Sequence, residues 1–116
     1  MTPWKPRTVT GWILAILLSL AYLLAAVGKL SGAASPMFEG WGYAAWFATL
    51  IGVLELAGAI GLVIPKSTRW AILGLTAIML GAAYTHLANG EGVQVVRPLV
   101  FLAGLWGLWF LRRDGR

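Results

Sequence analysis

The sequence predicts an all-α integral membrane protein, a bundle of four transmembrane helices. Three observations carry that prediction. Hydrophobic residues make up 59% of the 116 positions and charged residues 11%, where an average soluble domain has about 25% charged. Mean hydropathy is +0.81, more apolar character than one soluble core of this length absorbs. The charges also fall between long uncharged runs rather than inside them, with Glu55 as the exception.

Taken in order, those runs are residues 8–28, 40–64 (broken by Glu55), 70–90 and 98–111. About 20 apolar residues are needed to cross ~30 Å of hydrocarbon as a helix. The first run meets that length and gives a span at about 9–30. It is longer than the apolar core of a secretory signal, so it reads as a span rather than a cleaved leader. The second gives a span at about 43–64. Between them lies an outer loop, 31–42, in which Ser35-Pro36 is placed to start a short interfacial helix. Pro65-Lys66-Ser67-Thr68-Arg69 is a tight polar turn with Ser67 or Thr68 as N-cap, and a third span follows at about 69–89. Asn89-Gly90-Glu91-Gly92 is another turn. The fourth run is short unless its helix begins near 94, carrying Arg97 in its first turn, where Pro98 is tolerated because a first-turn proline lacks only an amide that has no partner there. The span is then about 94–111, and the whole chain is one transmembrane domain.

With four spans, the N-terminus, the second loop and the C-terminus share a side. That side holds Lys5, Arg7, Lys66, Arg69, Arg112, Arg113 and Arg116 against Asp114; the other holds Lys29 and Arg97 against Glu39 and Glu91. The positive-inside rule places both termini in the cytoplasm. Trp12, Trp70, Trp106 and Trp109 on that side, and Trp41 and Trp46 on the other, read as interfacial anchors. The net charge of +5 therefore belongs to helix ends, which argues against a nucleic-acid surface.

Composition also excludes chemistries. Without cysteine the chain holds no disulfide, redox thiol or iron–sulfur cluster. With His86 as its single histidine it cannot ligate a haem through two imidazoles. Glu55 and His86 together give only two good metal ligands, so no metal site is expected. A redox role would need a bound organic cofactor or a partner subunit.

Glu55 is the residue on which function turns. On insertion scales an acidic or basic residue at a helix centre costs about 2.5–3.5 kcal/mol, and an ionisable group inside the membrane is a site hypothesis by default. It lies ~18 Å along a helix that starts at Tyr43. Lys29, Arg97 and His86 are expected to hang from the outer rim above it, with Tyr84 nearby and Glu39 in the loop as a lid. A Glu55 pairing with Lys29 or Arg97, bridged by His86, would shape a polar pocket in the outer half of the bundle. The bland alternatives are register-fixing by a buried pair and simple snorkelling of Lys29 and Arg97 to the headgroups. Gly52, Gly58 and Gly61 recur on the Glu55 face, Gly28 and Gly32 have small-xxx-small spacing, and Gly104 and Gly107 flank Trp106. All are read as packing positions.

Leu24-Ala25-Ala26-Val27-Gly28-Lys29-Leu30 at the end of the first span, Ile51-Gly52-Val53-Leu54-Glu55-Leu56-Ala57-Gly58-Ala59 in the second, and His86 before an outer turn together resemble the DoxX-like membrane proteins over nearly the whole chain. The resemblance implies a small four-helix protein of the bacterial inner membrane. It carries Lys29, Glu55 and His86 over as the polar site. Relatives of that kind include a subunit of a thiosulfate:quinone oxidoreductase and partners of redox enzymes; more distant animal relatives look like cargo receptors or receptor-assembly chaperones. Two functions follow as expectations. One is a quinone-linked accessory subunit, with a redox partner supplying electrons. The other is a non-enzymatic lipid-binding, small-molecule-binding or assembly factor. A homodimer through the Gly104–Gly107 face fits either. A proton pathway is disfavoured, because no acid or histidine continues below Glu55 and Thr76 is isolated.

Overall fold

A computed structural model describes residues 6–112, with side chains from residue 8. Lys5, Arg113, Asp114, Arg116 and the side chain of Arg7 lie outside the described residues. Within them the chain is α-helical and has no strand. The helices are α1 (Pro6–Leu30), α2 (Ser35–Gly40), α3 (Ala45–Leu62), α4 (Thr68–Ala88) and α5 (Val96–Arg112), with a 3-10 turn at Gly92–Val95 leading into α5.

Four segments are long and apolar enough to cross a membrane: Thr8–Leu30, Ala45–Leu62, Thr68–Ala88 and Gly92–Arg112. They form a closed ring in which α1 touches α3 and α5, and α4 touches α3 and α5. The core runs down the middle through Ala15, Leu18, Tyr22, Ala59, Leu62, Ile72, Leu75, Leu105 and Leu108. Outside it Leu24, Leu17, Leu80 and Val100 are exposed, the surface a bilayer would cover.

Glycines set the helix contacts. A Cβ on Gly58 would sit 2.6 Å from Leu75 of α4, and one on Gly104 2.9 Å from Leu18 of α1. Missing side chains let those helices close up and bury the leucines. Gly28 differs from the expectation: a Cβ there would meet nothing within 4 Å, so it is not a packing position within this chain.

Two features decide where the polar residues go. The first is the depth at which α1 ends. A Cβ on Gly52 would lie 2.9 Å from Lys29 Cβ and 3.1 Å from Leu30 Cγ, so the end of α1 is level with Gly52. That is seven residues into α3, or ~10 Å below its start. The second is the returning segment. α2 packs on α3 and buries Phe38 against Trp41, Tyr43 and Phe47, with ring centroids 5.2, 6.1 and 6.1 Å away. It fills the level above the end of α1. Gly32 and Gly42, with φ of +90° and +95°, make the left-handed turns on either side of it. The second turn also moves the start of the second span to Ala45, because the Tyr43 amide bonds back to Phe38 O at 3.0 Å.

Candidate functional site

The inward face of α3 is Ala48, Gly52, Glu55, Ala59 and Leu62. Small residues on that stripe draw α1 close, and Glu55 is carried inward with them to 1% exposure. Helical side chains lean toward their own N-terminus. In α3 that direction is outward; in the antiparallel α1 it is inward. Lys29 therefore reaches down from the Gly52 level and Glu55 reaches up to meet it, with Nζ 2.8 Å from Oε1. Lys29 keeps 18% side-chain exposure against 2% for Glu55. Beyond that ion pair Oε1 has no hydrogen-bond partner among the described residues.

A third polar group shares this depth. Ser19 Oγ donates to Ala59 O across the α1–α3 contact at 2.8 Å, which fixes the register of the two helices. One turn outward from Ser19 is Tyr22, and one turn outward from Ala59 is Glu55. Tyr22 is 1% exposed, its ring packs on Phe101 at 4.9 Å, and its hydroxyl has no hydrogen-bond partner among the described residues. Sequence reading passed over Tyr22 because it sits among leucines and alanines and looks like core; its position seven residues before Lys29, on the same face, was the available signal.

The other expected members lie elsewhere. His86 does not bridge the pair. Its Nδ1 is 2.7 Å from Glu91 Oε1, and since a carboxylate only accepts, Nδ1 carries the proton. Trp41 Nε1 donates to both Glu91 oxygens at 3.2 Å, and its ring meets His86 edge-on at 5.3 Å. Beside this trio Thr85 Oγ1 donates to Gly81 O at 2.8 Å, so Tyr43 Oη, 2.7 Å away, donates to Thr85. That bond places Thr85 level with the start of α3, ten residues or ~15 Å outward from Glu55. The outer trio and the buried pair are thus separate clusters at different depths. Glu91, read from sequence as a solvated loop charge, is the acceptor that joins the α2 segment to the α4–α5 turn. Its two donors, His86 foremost and then Trp41, hold its carboxyl below the usual glutamate range. Trp41 is not a simple lipid anchor. Arg97 does fall in the first turn of α5 but is exposed, as are Glu39 and Tyr84; none of the three reaches the pair.

On the opposite rim, Arg112 lies over the Trp12 ring at 4.7 Å and Arg69 over Trp109 at 5.6 Å. Thr76 is not isolated: Trp106 Nε1 donates to it at 3.1 Å. An open apolar groove between α3 and α4, whose lining includes Leu54, Ala57, Gly58, Gly61, Trp70 and Gly74, runs inward from the level of Glu55 and contains none of the polar cluster.

A sequence profile described as the DoxX-like family matches residues 13–108, a span that holds Tyr22, Lys29, Glu55, His86, Glu91 and all four apolar helices. The chain belongs to the DoxX-like family. No curated protein and no solved structure matches it. As a DoxX-like protein it is a multi-pass membrane protein built as a helical bundle, and inside that bundle Glu55 is buried against Lys29.

Proposed function

We propose that this DoxX-like chain is a quinone-linked accessory subunit of a redox system in the bacterial inner membrane, with Lys29 and Glu55 as its polar binding site. One observation carries the reading: a carboxylate 1% exposed inside the bundle, held by an ammonium group 2.8 Å away. The pair lies at a depth that a lipid-soluble head group reaches from the acyl-chain region. Lys29 donates a hydrogen bond to a ring oxygen and Glu55 exchanges a proton with it. With no cysteine and one histidine, electrons come from a partner subunit. The charge asymmetry supports cytoplasmic termini. The test is mass spectrometry of small molecules retained on protein purified in mild detergent. Quinone enriched over the bulk lipid extract, and lost in Glu55→Gln, is the expected result. No enrichment in the unsubstituted protein overturns the reading.

A second reading is a non-enzymatic assembly factor. The α3–α4 groove favours it, because a strip of glycine and alanine beside an exposed Trp70 has the shape that accepts another transmembrane helix. A co-purifying membrane protein, lost when Gly74 or Ala57 is enlarged and indifferent to Glu55→Gln, supports that alternative.

A further inference from the structure

Tyr22 Oη is buried with no hydrogen-bond partner among the described residues, and Glu55 Oε1, also buried, has only the Lys29 ion pair and keeps accepting capacity. The Ser19–Ala59 bond brings them to one level of the α1–α3 contact, one helical turn outward from it on each helix. Their chemistry is complementary but not identical. A phenol offers one O–H donor; an ionised carboxylate offers only acceptors. A group satisfying both must accept from Tyr22 and donate to Glu55 at the same oxygen. A hydroxyl does that. A carbonyl oxygen does not, since it only accepts and its lone pairs would face those of Glu55. Leaving buried polar groups unmatched is what gives such sites their discrimination.

We propose that Tyr22 and Glu55 form a hydroxyl-binding site, so that the quinone-type ligand is held preferentially in its reduced, hydroquinone form. This rests on the quinone reading for the identity of the ligand, while the hydroxyl selectivity rests on Tyr22 and Glu55 alone. Lys29 neutralises the carboxylate and keeps it an acceptor. Tyr22 is a specificity residue: without its hydroxyl the ring packing on Phe101 remains, but the donor that fixes the ligand oxygen is gone. The same chemistry is available to a water molecule, and the two sources separate experimentally.

The full chain in detergent is dialysed anaerobically against a short-tailed benzohydroquinone and, separately, its oxidised quinone. One aligned hydrogen bond gained and one lone-pair clash avoided give the hydroquinone an expected advantage of about tenfold. For a two-electron couple that raises the midpoint potential of the bound ligand by about 30 mV. Tyr22→Phe removes most of the preference, while Glu55→Gln, which loses the ligand, serves as the spectroscopic reference. The carboxylate infrared band of Glu55, assigned by difference against Glu55→Gln, is recorded in parallel. If neither ligand form binds but Tyr22→Phe shifts that band in a manner sensitive to isotopic water, the hydroxyl site stands with water as its occupant and the quinone reading falls. If quinone binds as tightly as hydroquinone, the selectivity is wrong although the quinone reading survives. If Tyr22→Phe alters neither the preference nor the band, there is no hydroxyl site.

Discussion

Replacing Lys29 by Met and Glu55 by Leu, singly and together, separates a true buried pair from two neighbouring charges. Glu55 has 2% side-chain exposure and nowhere to go. In Lys29→Met it either stays charged without a counterion or takes up a proton. Breaking a buried pair costs about 3–5 kcal/mol, and neutralising an ordinary glutamate at neutral pH costs about 4 kcal/mol, so the loss should be about 3–4 kcal/mol. Glu55→Leu is milder. Lys29 keeps 18% exposure and sits in the last turn of α1, where the helix dipole favours it and its stem can swing the ammonium toward water. About 1–2 kcal/mol is expected. The double variant leaves two apolar side chains of similar size and should lose about 1–2 kcal/mol as well. Coupling of about 3–4 kcal/mol follows. The assay is detergent-driven unfolding followed by tryptophan fluorescence. Single effects that add to within ~0.5 kcal/mol, or a Glu55→Leu loss larger than that of Lys29→Met, would show two independent charges rather than a buried pair.

Gly52→Ala forces a methyl against Lys29 Cβ and Leu30 and should destabilise by about 1–3 kcal/mol in the same unfolding assay, whereas Gly28→Ala, facing open space, should be neutral or slightly stabilising. Glu91 has its folded value depressed by its donors, so the outer junction is fully held above the ordinary glutamate range near ~4.3 and is lost as pH falls through the lower folded value. Protection factors of the Trp41 and Tyr43 amides, with the intrinsic pH dependence of exchange divided out, should stay flat from neutral pH to about 5 and fall only in stronger acid, and a fall already complete by about pH 6 contradicts this. Because the chain has no cysteine, single cysteines report topology directly: Lys66→Cys should react with an impermeant maleimide only from the cytoplasmic side and Glu39→Cys only from the other.

Most of the fold was legible because a bilayer simplifies the problem: uncharged runs of span length have one solution, and the breaks at Pro65 and Gly90 are strong local signals. Glu55 was legible for the same reason, as the one acid inside such a run. Relative depth was not. Lys29 looked like an outer-rim residue because nothing local tells that α1 stops at the Gly52 level while α2 folds back above it. That return separates the outer trio from the buried pair by ~15 Å. His86 was placed with Glu55 on shared topology, but Glu91 is five residues away across a tight turn, closer than any partner on another span. Tyr22 was hidden by its apolar neighbours, since a phenol at a core position reads like phenylalanine until its hydroxyl is seen without a partner.

Solid-state NMR measures the charged pair in the bundle interior directly. With the Lys29 amine labelled in nitrogen and the Glu55 carboxyl in carbon, in protein reconstituted into bilayers, the 2.8 Å Nζ–Oε1 contact predicts strong dipolar dephasing between the two sites and an ionised carboxylate shift. Absent dephasing, or a carboxyl signal in the protonated range at neutral pH, would contradict it.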